Sequence, residues 1–316
     1  MPTLFTGHMS GCDWMPDWAL DEKGRAPAFP YRMISGNRAV DPRMRDIYTD
    51  SLMLVAAYAQ AAAVARAVSP FASLWAIDLG NEPSQIFAPA APGDFPAWTA
   101  RMSGVIREVA PAVRVMVGTH ICDLAQDNLY NMRGIAPYVD FTSMHAYPDL
   151  SAGPDAMPDA LLPAFACLYA QRATGRPTLC QEFGMPVRLE SGPFVLPPGR
   201  HALSETTAAR FFEQALAHLV EFGAIGALPW CFRDYDPELY DLPPFETHPH
   251  ERYFGLFRAD GSPKAHAHVI RDFAAAGPRV APAPPYLDDL TPDNFRPDER
   301  IFQERLRAVT AKLLTT

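Results

Sequence analysis

The stretch "WAIDLGNEPS", Trp75 to Ser84, decides how this chain is read. An apolar run ends there in an amide, a carboxylate and a proline. If the run is a buried strand, Glu82 stands at its C-terminal tip. Other short apolar runs bounded by turn residues repeat the form, and together they predict strands at Thr3–Thr6, Leu74–Leu79, Val113–Gly118, Val139–Met144, Pro177–Phe183 and Ile225–Cys231. Helical periodicity falls between them, near 46–68, 94–109, 155–173, 204–222 and 262–275. Ser204 is a predicted N-cap, and Asp94 with Pro96 opens another helix. Alternating strand and helix predicts a parallel sheet covered by helices.

The two ends of these strands differ in chemistry. Past their C-terminal ends come Gly7-His8, Asn81-Glu82-Pro83, Thr119-His120, His145-Ala146-Tyr147, Glu182-Phe183-Gly184 and Trp230, whereas their starts are small or apolar. Such one-sided polarity is what a (β/α)8 barrel shows, with its chemistry on the C-terminal face. A doubly wound sheet finds no glycine-rich phosphate turn to support it. Long loops at 83–97, 148–160, 184–203 and 232–252 follow strands and carry Phe87, Phe95, Phe194, Tyr235, Tyr240 and Phe245. They are expected to wall a cleft on that face.

Composition narrows the partners. The chain has 316 residues, 48% of them hydrophobic, enough for a sizeable core. Its formal charge is −9, which argues against nucleic acid or an anionic membrane and suits a neutral or weakly polar substrate. "MPTLFTGHMS" lacks the basic start and long apolar core of a secretory peptide. Leu52 to Val68 is the longest greasy stretch, but Gln60 and Arg66 interrupt it, so it reads as a packed helix. Five scattered cysteines form no CxxC, and the compartment stays open.

Glu82 and Glu182 are the candidate catalytic pair. Each stands at the C-terminal end of a predicted strand, each is preceded by an amide (Asn81, Gln181), and two carboxylates in one pocket drive their protonation states apart. A proton donor and a nucleophile are what a retaining glycosidase requires. No GxSxG elbow supports a serine hydrolase. The pairs His248/His250 and His266/His268 lack the further ligands a zinc site needs, so no metal is expected.

The motifs "GHMSG" (7–11), "DLGNEPS" (78–84), "SMHAYP" (143–148), "QEFG" (181–184), "ALPWCF" (227–232) and "FGLFRADGSPKAHA" (254–267) resemble those of the retaining (β/α)8 glycosidases, above all glycoside hydrolase family 5, the family of many cellulases and β-mannanases. The resemblance covers nearly all of residues 1–276. It implies Glu82 as acid/base, Glu182 as nucleophile, Asn81 on the sugar 2-hydroxyl and Tyr147 bonded to Glu182. It further implies His145 in the same subsite and Trp230 as a stacking platform. His8, His120 and Trp14 are weaker candidates for substrate contact, sharing only strand-end or loop position. The implied substrate is a β-mannan or β-glucan, the implied reaction uses no cofactor, and oligo- or polysaccharide is the expected partner.

By this resemblance the strand before Glu82 is strand four, the strand before Glu182 strand seven and Thr3–Thr6 strand three. Residues 12–45 read as loop, so strands one and two are expected to be missing and an early-strand arginine of the family has no counterpart. The expected organisation is an N-terminally incomplete catalytic domain over 1–276. A Pro-rich connector and an amphipathic helix (Ile301, Phe302, Leu306, Val309, Leu313) follow over 277–316. Open barrel edges would then favour self-association. They also motivate an alternative: a truncated, inactive fragment retaining at most carbohydrate binding.

Overall fold

A run such as Ala76–Asn81, with five of its six residues buried, is shielded on both faces, the mark of a parallel strand covered by helices. The computed structural model describes residues 1–149, 156–188, 195–196 and 200–315. It divides into two units, one comprising Met1–Ser143, Ala170–Pro177 and Asp289–Phe302, the other Met144–Tyr169, Thr178–Asp288 and Gln303–Thr316.

In the first unit Ala76–Asn81 lies between Thr3–Phe5 and Arg114–Gly118, parallel to both, with Thr3 opposite Asp78 and Ile77 opposite Val115. This strand runs two residues further than its apolar pattern suggested, so Asn81 is part of it and Glu82 follows directly. Helices Ser51–Val68 and Asp94–Val109 flank the sheet. Asp50 caps the first by accepting from the Leu52 and Met53 amides. Only Met53, Ala61 and Ala65 of that helix are buried. It was expected to be a packed helix, yet 17% of it is buried, and by length and composition it is apolar enough to cross a membrane.

Residues 12–45 are not loop. A second sheet runs in the order His8–Met9, Cys12–Trp14, Arg32–Ser35, Arg38–Val40, with Leu20–Arg25 a further short strand. These strands are two to six residues long, too short to leave an apolar run. Turn chemistry builds them instead: Gly11 (φ 88°) closes one hairpin, and Gly36-Asn37 (φ 52° and 66°) closes another. Phe87 and Phe95, expected in a cleft wall, are fully buried with Tyr48, Trp98 and Tyr130 in an aromatic cluster.

In the second unit Thr178–Phe183 is the central strand, parallel to Ala227–Pro229, with Thr142–His145 on its other side. Glu205–Glu221 starts at Ser204, whose hydroxyl accepts from the Thr207 amide as predicted. That helix buries Phe211, Phe212, Ala215, Leu216 and Leu219, and the Phe212 ring stacks on His266 of helix Ala265–Ala276. The helix expected from 155 begins at Leu162. Phe194 lies outside the described residues. In the tail, Phe302, Leu306 and Val309 form one buried stripe of helix Glu299–Leu313.

Candidate active site

Glu82 is held by its backbone. It sits between strand Ala76–Asn81 and the short helix Pro83–Ile86 with φ 43° and ψ 53°, a left-handed conformation that costs a non-glycine residue roughly 1–3 kcal/mol. Its amide donates to the Gly118 carbonyl at 3.0 Å, and its carbonyl accepts from the Gln85 amide at 2.9 Å. Pro83 opens the helix where no N–H is needed. Beneath this turn lies Asp78, fully buried, accepting from the Thr3 hydroxyl (2.9 Å) and the Gly80 and Gly118 amides (3.0 and 2.9 Å). One carboxylate thus ties three strands together just before Asn81 and Glu82.

His8 approaches Glu82 from the hairpin. Its Nε2 is 3.9 Å from Glu82 Oε2, and its Nδ1 lies 2.7 Å from Asp13 Oδ1. The hairpin register makes this pair, since His8 stands directly opposite Asp13. Asp13 is fully buried; burial pushes its carboxyl up, and the bond and charge of His8 pull it back down. Tyr31 packs on the His8 ring at 5.0 Å, and Asn81 Nδ2 donates to the His8 carbonyl at 3.3 Å. Sequence reasoning missed Asp13 and Tyr31; the Ser10-Gly11 hairpin signal would have found Asp13.

Two weaker candidates lie elsewhere in this unit. Strand alternation puts Trp14 on the face opposite Asp13, in the wall of an apolar cavity of about 400 Å³ with Met15, Met53 and Trp98. His120 follows Arg114–Gly118 and closes a local turn, its amide donating to Asp123 Oδ2 (3.0 Å) and its Nδ1 accepting from the Cys122 amide (3.2 Å). Asp123 is buried, which raises its carboxyl, while Asn128 offsets part of the rise.

Glu182, by contrast, is held by side chains. It belongs to strand Thr178–Phe183 itself. The Tyr147 hydroxyl donates to Glu182 Oε2 at 2.7 Å, and His145 Nδ1 stands 3.5 Å from the same oxygen. His145 is fully buried, with Nε2 3.1 Å from Gln181 Oε1. The Ala146 amide donates to the Glu182 carbonyl at 3.0 Å and sets this register. Phe254 packs edge-on against Tyr147 at 5.8 Å. Trp230 follows Ala227–Pro229, half-buried, its amide bonded to the Phe183 carbonyl at 2.9 Å. A Cβ on Gly184 would fall 2.5 Å from the Trp230 carbonyl oxygen, so only glycine lets the two strand ends approach this closely.

The structure brings Asn81, Glu82 and His8 together in the first unit. It brings His145, Tyr147, Gln181 and Glu182 together in the second. In chemical terms the first group offers a carboxylate with an imidazole beside it. The second offers a carboxylate accepting from a phenol, an arrangement that stabilises negative charge on the accepting oxygen.

Among solved structures the chain is similar to an exo-β-1,4-mannosidase from Opitutaceae bacterium strain TAV5, with 26% identity and a TM-score of 0.68 over 88% of this chain and 45% of that one. It is also similar to a GH5_18 protein from Streptomyces cattleya in complex with Manβ1-4GlcNAc (19% identity, TM-score 0.68, 89% of this chain and 63% of that one). A GH5_18 protein from Bifidobacterium longum subsp. longum, again with Manβ1-4GlcNAc, gives 18% identity and a TM-score of 0.68 over 90% and 61%. No protein-family model and no curated protein matches. The chain shares its fold with these glycoside hydrolase structures. It spans about half the length of the first of these structures and about three-fifths of the other two.

Proposed function

We propose that the protein is a retaining β-glycoside hydrolase in which Glu82 and Glu182 serve one double displacement. The observation that carries this reading is the Tyr147 hydroxyl on Glu182 at 2.7 Å, with His145 at 3.5 Å on the same oxygen. That is the environment of a carboxylate that attacks while charged. In the first step Glu182 bonds to the anomeric carbon, and the leaving glycosyl oxygen takes the Glu82 proton. In the second, Glu82 removes a proton from water, the water oxygen bonds to the anomeric carbon, and the Glu182 ester bond breaks. Asn81 then holds the 2-hydroxyl, and Trp230 stacks on the ring. The likeness to an exo-β-1,4-mannosidase and to proteins in complex with Manβ1-4GlcNAc favours a β-mannoside as first substrate, with β-glucosides second.

The test is intact mass after incubation with activated 2-fluoro-mannosides and 2-fluoro-glucosides, which stall a retaining enzyme at its covalent intermediate. The expected outcome is a one-to-one adduct on Glu182, absent from Glu182→Gln. A folded sample that acquires none overturns the reading.

A second reading, sugar binding without turnover, draws on the sheet edges. Among the described residues Thr3–Phe5 pairs with Ala76–Asn81 alone, and Ala227–Pro229 pairs with Thr178–Phe183 alone. Self-association through such edges would cover them. Binding of mannosides measured by calorimetry, together with absent labelling, is its signature.

A further inference from the structure

Glu251 is a buried carboxylate that no step above uses. It lies in "HPHERYFGL", within the short 3-10 turn Pro249–Tyr253. Backbone bonds fix this turn between two strand-end loops. The Val187 amide donates to the Tyr253 carbonyl (2.9 Å), the Tyr235 amide to that of Arg252 (3.3 Å) and the Cys231 amide to that of Phe254 (3.0 Å). Val187 follows the Glu182 strand, and Cys231 follows Trp230. The turn is therefore anchored at the same strand ends that carry the nucleophile and the stacking tryptophan.

The Glu251 side chain is 7% exposed, against 16% for Glu182. Taking a carboxylate out of water is costly unless donors replace the water. His250 Nε2 is 3.4 Å from Glu251 Oε1, long for a charge-assisted bond. His250 is itself 2% exposed, and its Nδ1 has no hydrogen-bond partner. Among the described residues the buried His250 beside Glu251 thus keeps a ring nitrogen unused, which native interiors rarely allow without a reason.

Their position relative to the nucleophile follows from ring contacts. The His250 ring is 6.4 Å from Phe254, Phe254 is 5.8 Å from Tyr147, and Tyr147 bonds Glu182. Electrostatics agrees with this geometry. Burial pushes the Tyr235 phenol up, and the charges of Cys231, Glu251 and Glu182 add to the rise, so both carboxylates act on one phenol.

We propose that Glu251 is a specificity-determining residue that accepts hydrogen bonds from hydroxyls of the sugar held at Glu182, selecting neutral hexopyranosides over uronic acids. The inference rests on the glycosidase reading. An ionised carboxylate only accepts, and its two oxygens match two neighbouring hydroxyl donors. A uronic acid would bring a second negative charge to the same point and be repelled. His250 is the positioning residue that fixes the Glu251 rotamer.

The experiment compares wild type, Glu251→Gln and Glu251→Ala, each checked for folding by thermal melt, on aryl β-mannopyranoside and on the matching uronide. Glu251→Ala is expected to raise KM for the neutral glycoside about 10- to 100-fold, with a smaller change in kcat. Glu251→Gln keeps the shape and one acceptor while removing the charge, so its uronide-to-hexoside ratio of kcat/KM is expected to rise. In wild type, methyl β-mannopyranoside should protect Glu182 from the 2-fluoro reagent, and the methyl uronide should not. Equal protection by both, or variants that fold and leave KM and the ratio unchanged, overturns the proposal. Failure of wild type to form the Glu182 adduct overturns the glycosidase reading instead, and this inference with it.

Discussion

Glu82 and Glu182 are fixed by opposite means. The first takes its place from backbone, a left-handed residue at a strand-to-helix turn with a bonded amide and a hairpin histidine at 3.9 Å. The second lies in regular strand and takes its orientation from the Tyr147 hydroxyl and the His145 ring. The difference suits the roles proposed. An acid/base must both give and receive a proton, so fixed placement matters most. A nucleophile must carry charge until it attacks, so donors on its oxygens matter most.

Replacement of the two carboxylates is the largest expected effect. Glu182→Gln should lower kcat by about four orders of magnitude for every substrate, because no ester can form. Glu82→Gln should cost about 10²- to 10⁴-fold on poor leaving groups. It should cost much less on aryl glycosides with acidic phenols, which depart without a proton. Steady-state rates across a leaving-group series test this. Equal losses for both variants at every leaving group would break the assignment of roles.

The two halves also differ in what lies beneath them. Asp78 in the first unit is satisfied by two amides and a hydroxyl. Asp234 in the second accepts from the Gly255 amide at 2.9 Å and pairs with Lys264, which is 2% exposed, at 2.7 Å. Burial pushes the Asp234 carboxyl up and the Lys264 ammonium down, each against the pull of the other. Lys264→Met strands a buried carboxylate, and a loss of about 3–5 kcal/mol is expected in urea unfolding. Asp78→Ala leaves neutral donors unmet, with an expected loss of about 2–4 kcal/mol. The reverse order would show that the ion pair contributes less than the backbone-bonded carboxylate.

These supports mark the limit of what sequence made legible. The central parallel strands were readable because burial on both faces leaves an apolar run, and their polar tips named both glutamates, Tyr147 and His145. Asp78 and Asp234 were not singled out, because a polar residue in or beside a strand carries no sign of the amides it will meet. The sheet within residues 12–45 escaped for a related reason. Its hairpin strands are only two to four residues long and pair through turns at Gly11 and at Gly36-Asn37, and the neighbouring strand "LDEKGR" (Leu20–Arg25) has no apolar face. Phe87 and Phe95 were assigned to a cleft because they follow a strand, yet the aromatic cluster around Tyr48 draws them inward.

The smallest effect concerns histidines, where the two units again diverge. His8 has a carboxylate partner in Asp13. His266 is fully buried and stacks on Phe212 at 4.8 Å, with no carboxylate beside it among the described residues and the Gly255 backbone favouring its proton. Burial, then the charge of Lys264, lower its pKa from 6.5 to about 3. Its folded value is below its unfolded one, so the folded ring stays neutral while the unfolded ring takes up a proton. The stability this represents is present above pH 6.5 and is lost as pH falls from there toward 3. At pH 5 the loss amounts to about 2 kcal/mol. His266→Phe keeps an aromatic ring against Phe212 and removes the proton site. Wild type should therefore lose about 2 kcal/mol more than this variant between pH 7 and pH 5 in matched urea titrations. If both lose the same, His266 already finds a proton partner in the folded protein, and the contrast with His8 disappears.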